Sequence, residues 1–565
     1  MAVYGIDLGT TYSVIATLGA NNLPEVIENY ADGSGTLASA VYFPYDGDPV
    51  VGKVAKNQAE LEPERVIQYV KREIGKKDPH IYTFNGIDYD PIKTSSLILK
   101  RIKEYAGEQG HDVKDVVITC PAYFGNEERA ATKQAGIIAG FNVLNIVNEP
   151  TAAALNYCSH EFNESRKILV FDLGGGTFDV TLIDFSVDEN RKSTIEVIAS
   201  NGDDRLGGID WDAVLNEYML EVYAAESAVQ VEDIAREIKQ KIRAEVEEVK
   251  KGLSFLLVKP VSIAAAGESA RITLTRDEFE NRTRAVVEKT ITFVHMVLDN
   301  AKVKAEEVDV ALLVGGSTMM PMIKAAVEAI FPGRTRVEQP DLAVAKGAAL
   351  AAAIEWNESI REEIKKIEEE IEKPKPDTSK DKDNEKEIQR LFKNLIDVPE
   401  QVVAVNDKLQ RSLGPAVFVD EKSYMIDNLL FMGDPIASEA TSVYGTREAH
   451  MKAVNISVFE NASVDKANSY VLPSIDEYGK EQATDPLLKV KKIGDVTLKL
   501  PPKTPLHAPI QVTFKSTTSG LVVTAINVTT LEKASTVIES ENTMTAEELE
   551  KAKEEVAKLT TKSDI

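Results

Sequence analysis

Two glycine-containing turns, each set between apolar segments, constrain the fold of this chain more than any other feature of its sequence. In the first, residues 3–6 lead through an aspartate, a leucine, a glycine and two threonines (residues 7–11) into a second strand-like segment. In the second, residues 168–171 lead through an aspartate, a leucine, three glycines and a threonine (residues 172–177) into strand-like alternation. Such glycines let backbone N–H groups approach an anion, threonine adds a hydroxyl donor, and aspartate can hold magnesium through water. The repeat predicts two related halves that face one phosphate-bearing ligand.

A third glycine pair supports the same interpretation. It follows residues 310–314, an apolar run typical of a buried strand, and a helix is predicted after Pro321. For any one of these segments, the alternative is a tight hairpin whose glycines only turn the chain. Three such turns, each after a strand, favour nucleotide binding over that alternative.

Length, charge and cysteine content limit the classes to which this protein can belong. A chain of 565 residues is too long for one core and predicts two to four domains. The formal net charge of −26 argues against a nucleic-acid partner and against an anionic membrane surface. Two cysteines, Cys120 and Cys158, show neither CxxC spacing nor a cluster with histidines. With no leader-like start and no apolar run long enough to span a bilayer, these features predict a cytoplasmic protein.

Three further segments predict elements beside the ligand. In residues 65–75, apolar positions 66, 67, 70 and 74 predict a short helix with a glycine stop, with Lys71 near its end. Residues 116–124 predict a strand closed by proline, and a helix is expected from Asn126. Glu149 stands at the entrance of an alanine-rich helix, either to orient a water molecule or only to complement the helix dipole.

Together these motifs resemble the signatures of the seventy-kilodalton heat-shock chaperones. The resemblance rests on residues 7–11, 70–75, 121–124, 148–154 and 171–179, which follow the family's order. It covers residues 1–355 and implies an actin-like α/β ATPase domain of the duplicated ribonuclease-H-like type. It further implies an ATP-dependent chaperone that binds extended hydrophobic segments of unfolded proteins.

The resemblance also implies a role for each residue that matches a family motif. Catalysis is assigned to Asp172, Thr177, and the pair Lys71 and Glu149, which position the attacking water. Nucleotide binding is assigned to Asp7, Gly9, Thr10, Thr11, Tyr12, Gly174, Gly175, Gly176, Gly207, Gly208, Glu247, Lys250, Lys251, Ser254, Gly315, Gly316, Ser317 and Asp341. Magnesium would be held by Asp7, Asp172 and Asp179, mainly through water. The implied cofactors are therefore ATP or ADP and magnesium, with potassium as a further candidate ion.

Two positions depart from the family pattern. Met319 stands where the family commonly has an arginine that stacks on adenine, so we expect weaker nucleotide binding or a sulfur contact instead. Asn145 stands where the family often has an arginine that docks a J-domain partner, so conventional J-protein stimulation is in doubt. The partners that the resemblance implies are unfolded polypeptides, a J-domain co-chaperone and a nucleotide-exchange factor.

Residues 356–398 are predicted to form a charged helical insert and a linker. Isoleucines at positions 360, 364, 367 and 371 form a narrow stripe on a helix that a Lys-Pro-Lys-Pro segment ends, and the charged residues 377–386 are predicted to be mobile. Residues 395–398 match the family's linker best, with residues 402–405 as the alternative.

Residues 399–538 favour strands, and their alternation and polar breaks predict an antiparallel β-sandwich for substrate binding. The resemblance places Tyr444, Val454, Ile456 and Leu500 along a peptide groove, while ordinary core positions are the alternative. Residues 539–565 contain a capping box at Thr545 and an apolar stripe. We therefore expect a short C-terminal helix, which would be a truncated form of the family's longer lid.

The sequence thus predicts an ATPase of the chaperone class and of bacterial type. One alternative is an actin-like filament-forming or other structural ATPase, and a second is a passive holding chaperone with weak nucleotide coupling. A small-molecule kinase would need a further carboxylate base beside a substrate hydroxyl, and the motifs above do not supply one.

Overall fold

In the computed structural model of the protein, the described residues are 2–30, 35–161, 164–189, 193–265, 267–372, 381–396, 402–406, 408–409, 411–418, 424–436, 438–463, 466, 470–471, 473–475, 481–483, 490–517, 520–538 and 543–561. They form two α/β lobes, a pair of helices that follows the second lobe in the chain, a β-domain and a terminal helix. Among these residues, no helix combines the length and hydrophobicity needed to cross a bilayer. Cys120 and Cys158 are both buried and unbridged, and the cytoplasmic location stays a prediction.

The first lobe extends to residue 161. Its strands are β1 (Tyr4–Asp7), β2 (Tyr12–Leu18), β3 (Pro24–Val26), β4 (Leu37–Ala38), β5 (Ala40–Tyr42), β6 (Val50–Val51), β7 (Val66–Gln68), β8 (Tyr82–Phe84), β9 (Ile87–Tyr89), β10 (Asp115–Cys120) and β11 (Asn142–Asn148). Its helices are α1 (Lys53–Gln58), α2 (Pro91–Glu108), α3 (Asn126–Ile138) and α4 (Glu149–Glu161), with 3₁₀ turns at Pro63–Arg65 and Val70–Arg72.

The second lobe begins at residue 164. Its strands are β12 (Arg166–Leu173), β13 (Phe178–Val187), β14 (Ser193–Asp203), β15 (Val258–Ala265), β16 (Glu268–Thr275), β17 (Val310–Val314) and β18 (Thr335–Val337). Its helices are α5 (Gly208–Glu226), α6 (Arg236–Phe255), α7 (Arg276–Ala301) and α8 (Pro321–Ile330), with 3₁₀ turns at Ala305–Glu307 and Gly316–Met319. The next helix, α9 (Ala343–Glu372), packs on the first lobe's sheet and on α4.

The remaining elements follow in chain order. They are α10 (Asp381–Phe392), β19 (Val402–Asn406), β20 (Ser412–Phe418), β21 (Tyr424–Asp427), β22 (Glu439–Gly445), β23 (Ala453–Asn461), β24 (Tyr470–Val471), β25 (Pro473–Ile475), β26 (Glu481–Ala483), β27 (Lys491–Lys499), β28 (Pro509–Thr517), β29 (Gly520–Asn527), β30 (Lys533–Ile538) and α11 (Ala546–Lys558). Strands β20–β30 make up the β-domain.

The two lobes repeat one sheet topology. In the first lobe, the antiparallel hairpin β1–β2 is extended by the parallel strands β10 and β11. In the second, the antiparallel hairpin β12–β13 is extended in the same way by the parallel strands β17 and β18. The predicted internal repeat is thereby confirmed, and each of the two Asp-Leu-Gly turns joins the two strands of one hairpin.

Helix α9 packs closely on β1 and α4 through two glycines. A Cβ atom at Gly5 in β1 would lie 2.0 Å from the backbone nitrogen of Ala349, and one at Gly347 would lie 1.7 Å from the carbonyl oxygen of Ala152 in α4. No side chain fits at either position, so the backbone of α9 packs directly on both elements. The close packing positions the end of β1 and the start of α4, where Asp7 and Glu149 lie.

The short helix predicted in residues 65–75 is wrong. Val66–Gln68 instead pairs with β5 as strand β7, and a single 3₁₀ turn at Val70–Arg72 carries Lys71. Tyr69 adopts a left-handed conformation, with φ of 62°, which interrupts any helix at that point. The apolar spacing was therefore compatible with helix but was used by strand pairing with a distant segment.

The charged insert is helical for more of its length than the sequence predicted. Helix α9 continues to Glu372, and α10 packs against it through Ile360, Ile364 and Leu391, which are buried together. Residues 381–386, part of the tract predicted to be mobile, belong to α10 and are helical. Residues 373–380, which include the predicted Lys-Pro-Lys-Pro stop, and 397–398 of the first linker candidate lie outside the described residues.

The second linker candidate forms a strand of the second lobe. Residues Ser193 to Glu196 of β14 pair in parallel with β19, which adds Val402–Asn406 to the edge of that sheet. Lys408, just beyond β19, makes a 3.0 Å ion pair with Glu196 of the same edge. The predicted boundary between residues 398 and 399 stays a prediction, but β19 pairs with the second lobe.

In the β-domain, two antiparallel sheets enclose one apolar core. One sheet has the strand order β24-β21-β20-β23-β27 and the other has the order β22-β28-β29-β30. Alternate residues of β28 and β29 are buried, as the alternation predicted, and they pack against β23 and β27.

Helix α11 packs on the first lobe, against α2 and α3. The predicted capping box is present, since Glu548 N donates to Thr545 Oγ1 and the Glu548 carboxylate accepts from Thr545 N. Ala552 and Val556 of its apolar stripe are buried in the core of the first lobe. Lys93 of α2 adds a 2.5 Å ion pair with Glu555.

Candidate active site

A cleft of about 680 Å³ lies between the two lobes, within the usual size range of ligand sites. Both predicted hairpin turns and the third glycine pair open onto it. Of the residues that the resemblance assigned to catalysis or nucleotide binding, the cleft is lined by Asp7, Gly9, Thr10, Thr11, Tyr12, Lys71, Glu149, Asp172, Gly174, Gly175, Thr177, Glu247, Lys250, Lys251, Ser254, Gly315, Gly316, Ser317 and Asp341.

Three predicted glycines lie behind the cleft wall and hold the turns together. A Cβ atom at Gly176 would lie 2.5 Å from Thr10, and one at Gly207 would lie 2.5 Å from the backbone nitrogen of Gly176. Gly208 N donates to the carbonyl oxygen of Gly174 at 3.0 Å. These glycines therefore permit close backbone packing, and contact with a ligand falls to the residues in front of them.

The two hairpin turns approach each other closely at the centre of the cleft. A Cβ atom at Gly175 would lie 2.3 Å from Thr11 Oγ1, which only glycine avoids. Arg72 adds a bridge between the lobes, because its Nε donates to the Gly176 carbonyl oxygen at 2.8 Å. Thr10 Oγ1 is buried without a partner among the described residues, so it is available to donate to a ligand oxygen.

Lys71 and Glu149 form a buried ion pair between the turns. Lys71 is 4% exposed and Glu149 is 6% exposed. Burial alone would lower the pKa of Lys71, but attraction from Glu149 and Asp7 outweighs burial and raises that pKa above its ordinary value. Lys71 is therefore a cation throughout the physiological range, which suits electrostatic stabilisation of negative charge and excludes a role as a neutral base.

Acidic side chains outnumber this cation at the centre of the cleft. Burial, followed by repulsion from Glu149, raises the pKa of Asp7 to about 7. Burial, reinforced by Glu149 and Asp179, also raises the pKa of Asp172 well above its usual value. Such an excess of carboxylates with one lysine is unfavourable unless further positive charge binds, so this donor set fits a divalent cation with oxygen ligands.

Asp179 is oriented by the backbone and does not line the cleft. Its Oδ2 accepts from Ala122 N at 3.2 Å, and its Oδ1 has no partner among the described residues. Within the described part of the chain, no three His, Cys, Asp or Glu side chains are grouped closely enough to ligate a metal directly. The arrangement is compatible with the expectation that Asp7, Asp172 and Asp179 act through water.

At the other end of the cleft, α6 is joined to the first lobe by charged groups. Glu247 forms ion pairs with Lys56 of α1 and, at 2.9 Å, with Lys251. Tyr12 OH donates to Glu247 Oε1 at 2.8 Å. Burial opposes ionisation of Glu247, but the two lysines outweigh it and lower its pKa to about 2.

Sequence reasoning missed Lys56. It lies in a short polar helix whose pattern is typical of a solvated surface, and nothing near it in sequence indicates an ionic partner 191 residues away. Only the pairing of the two lobes brings Lys56 to Glu247, so no local signal could have found it.

The predicted peptide-groove residues lie together in the β-domain. Ile456 and Leu500 are buried in its core, while Tyr444 and Val454 are half-buried against that core. Tyr444 OH donates to Asp427 Oδ2 at 2.9 Å. The placement brings the four together, and their role in binding peptide stays a prediction.

Comparison with known proteins covers the part of the chain that forms these lobes. Residues 3–367 match the family model described as Hsp70 protein. The chain is 42% identical over 360 residues to the Chaperone protein DnaK of Thermosipho africanus, which covers 62% of this chain and 59% of the relative. It is 40% identical over 361 residues to the Chaperone protein DnaK of Thermotoga maritima, with the same two coverages. The chain is also 40% identical over 362 residues to the Chaperone protein DnaK of Mycoplasmopsis agalactiae, which covers 62% of this chain and 58% of that relative.

The match thus spans about 59% of the length of the first of these relatives. The family model covers more than half of the 565 residues of this chain. From the two glycine turns, the cleft between duplicated lobes and this match, we conclude that the protein is a bacterial-type member of the Hsp70 family.

Proposed function

We propose that this protein is an ATP-hydrolysing chaperone that binds extended hydrophobic segments of unfolded polypeptides. One observation carries the proposal: two Asp-Leu-Gly turns from duplicated lobes and a buried Lys71–Glu149 pair converge on a single cleft. The name Chaperone protein DnaK, which the relatives carry, supports the chaperone part.

Hydrolysis would depend on placement and charge, as phosphoryl transfer generally does. The hydroxyls of Thr10, Thr11 and Thr177 and the backbone N–H groups of the turns would bind the phosphates. Glu149 holds Lys71 in place, and Lys71 would stabilise the negative charge that develops as water attacks. Magnesium, when bound near Asp7, Asp172 and Asp179, would supply charge neutralisation of the phosphates. Potassium remains a further candidate ion.

We propose that the β-domain is the peptide-binding sandwich and that its contacts with the lobes couple it to the nucleotide. Three contacts of the β-domain and of the segments that flank it support this coupling. Strand β19 extends the second lobe's sheet, Lys491 of β27 pairs with Glu127 of α3, and α11 packs on the first lobe. A nucleotide that moves one lobe against the other would shift these surfaces and so alter the β-domain.

The test is peptide affinity measured in the two nucleotide states. A fluorescent, extended hydrophobic peptide is titrated with the purified full chain, in ATP and then in ADP, and anisotropy is recorded. We expect ATP to weaken peptide binding by at least about fivefold, the lower range of allosteric coupling between sites. Equal affinities would contradict coupling and favour a passive holding protein. ATP hydrolysis with no peptide affinity in either state would contradict the chaperone proposal.

The Lys56–Glu247 pair leads to a prediction about nucleotide release. Because this pair joins α1 to α6 across the mouth of the cleft, Lys56→Ala should allow the lobes to part more readily. Both side chains are partly exposed, so we expect release of a fluorescent ADP to become about two- to fivefold faster. Stopped-flow release measures the rate, and Lys56→Arg, which keeps the charge, is the matched control. An unchanged rate in Lys56→Ala would contradict the gating role of the pair.

We propose that a J-domain co-chaperone docks on this protein without a cation at position 145. Asn145 is buried, and its Nδ2 donates to Glu355 Oε1 at 2.5 Å. The next residue of α9, Trp356, donates its ring N–H to the carbonyl oxygen of Asn394 at 3.0 Å and so ties α9 to the end of α10. A nucleotide-exchange factor completes the partners that we propose from family membership.

A further inference from the structure

The chain that follows α10 is bound to the middle of α9. Asn357 of α9 is buried, and its Nδ2 donates to the carbonyl oxygen of Ile396 at 2.7 Å, while its Oδ1 accepts from Ile396 N at 2.8 Å. This side chain thus satisfies both backbone groups of one residue, as a paired strand would do. Trp356 adds a third bond, from its ring N–H to the carbonyl oxygen of Asn394 at 3.0 Å. Three hydrogen bonds therefore fix the end of the helical pair to α9.

Apolar contacts hold the same two segments together. Ile360 and Ile364 of α9 are buried with Leu391 of α10. Ile396 packs on the apolar core that includes Ile195 of β14. The end of the helical pair is therefore attached to the core on which the second lobe's sheet packs.

Strand β19 follows this attachment after a short stretch of chain. It pairs in parallel with β14, and Lys408 just beyond it forms a 3.0 Å ion pair with Glu196 of that strand. Five residues, 397–401, separate β19 from Ile396. The attachment and the strand can therefore lie at most about 20 Å apart. So short a tether keeps the local concentration of β19 high at the edge of β14.

We propose that α10 is an anchor that shortens the tether of β19, with Asn357 as a positioning residue. Without the anchor, the last attachment before β19 is the end of α9 at Glu372, and 29 residues (373–401) separate the two. The local concentration of a tethered group falls roughly as the −3/2 power of tether length. Release of α10 would therefore weaken the pairing of β19 with β14 by about tenfold. The inference rests on the proposed function, in which β19 helps to couple the β-domain to the nucleotide.

Hydrogen–deuterium exchange of the full chain in ATP, followed by mass spectrometry, measures the anchor and the strand together. Exchange of residues 381–396 reports the docking of α10, and exchange of residues 402–406 reports the opening of β19. The release variant combines Asn357→Ala with Leu391→Glu, which places a charge on the buried side of α10. We expect α10 to lose its protection and β19 to exchange about tenfold faster. The matched control is Phe392→Glu, because Phe392 is the next residue of α10 but is 54% exposed, so both segments should exchange as in the unaltered protein.

An insertion distinguishes tether length from a general disturbance of the fold. Ten glycine and serine residues added within 397–401 lengthen the tether from five residues to fifteen, and β19 should then exchange about fivefold faster. In the release variant, whose tether is already long, the same insertion should change the exchange rate by less than about twofold. Equal effects of the insertion in the two backgrounds would overturn the anchor. Continued protection of α10 in the release variant would overturn it as well, because the contacts named above would then not hold the helix.

Failure of the anchor and failure of the proposed function give different results. Equal peptide affinities of the unaltered protein in ATP and in ADP would refute the coupling, while the exchange of α10 and β19 would still decide whether the anchor exists. If the peptide affinities differ but the insertion acts equally in both backgrounds, the coupling stands and the anchor is refuted.

Discussion

Replacing Lys71 with alanine is expected to slow single-turnover ATP hydrolysis by about a hundredfold or more, the scale of losing one oriented charge at a transition state. Nucleotide affinity should change little, because Lys71 is one of many residues that line the cleft, most of them in the turns and in α6. Lys71 is buried and remains protonated beside Glu149 and Asp7, so its charge acts in a site from which water is largely excluded. Rapid mixing with radiolabelled ATP measures the chemical step separately from product release.

A buried ion pair complicates the single variant, and a second variant resolves the complication. Removal of Lys71 leaves Glu149 buried and without its partner, which could distort the site by itself. The double variant Lys71→Ala with Glu149→Gln removes that unpaired charge. Glu149→Gln alone measures the loss that is due to the carboxylate. If Lys71 stabilises the transition state, the double variant is slower than Glu149→Gln alone. Hydrolysis near the normal rate in either variant would contradict the role assigned to Lys71.

The hairpin turns could be predicted from sequence because their chemistry is local. Aspartate, glycines and threonine stand within one turn of chain, and their residue types restrict the backbone wherever the turn lies in the molecule. The predicted repeat corresponds to two sheets that share one topology. Membership of the Hsp70 family confirms the predicted actin-like fold of the lobes.

Features that depend on distant partners could not be predicted in this way. Residues 66–68 have an apolar spacing compatible with a helix, yet they pair as a strand with β5, more than twenty residues earlier in the chain. Residues 381–386 have the composition of a mobile tract, but α9 offers the apolar partner that α10 needs. Lys56 of the first lobe meets Glu247 of the second lobe only in the tertiary structure. In each case the deciding contact is tertiary, and local propensity is too weak to oppose it.

The contact between the β-domain and the first lobe holds an unusual pair of carboxylates. A Cβ atom on Gly125 would lie 3.1 Å from Glu128 Oε2 and 3.9 Å from Glu460 Oε2, so both carboxylates lie beside Gly125 at the start of α3. Glu460 is 9% exposed, and its Oε2 has no partner among the described residues. Burial, followed by repulsion from Glu128, raises the pKa of Glu460 to about 7, and burial raises the pKa of Glu128 as well.

Other charged groups around this pair do not cancel the repulsion. Arg411 attracts both carboxylates, but the pKa of each remains raised. Lys491 lies opposite Glu460 in the β23–β27 ladder, yet its ammonium group pairs with Glu127 of α3. Asp204 of the second lobe adds repulsion to Glu128. The docked arrangement therefore favours a proton on the Glu128–Glu460 pair.

We expect docking of the β-domain on the first lobe to weaken by about tenfold between pH 6 and pH 8. When the domains separate, Glu460 regains water and its pKa returns toward its ordinary value of about 4.3. Between that value and about 7 the docked form binds more protons than the separated form. Docking thus takes up a proton, and its equilibrium constant falls as pH rises through this window, before levelling off above it.

Energy transfer between dyes on the first lobe and the β-domain, recorded in ATP, measures this equilibrium. Introduced surface cysteines can be labelled selectively because Cys120 and Cys158 are buried. Glu460→Gln cannot ionise, so it should dock at pH 8 as firmly as the unaltered protein docks at pH 6, with little dependence on pH. The matched control is Glu127→Gln, which removes the ion pair with Lys491 and should weaken docking by a similar factor at every pH. An equal docking equilibrium at pH 6 and pH 8 in the unaltered protein, or an unchanged pH dependence in Glu460→Gln, would show that the carboxylate pair does not control docking.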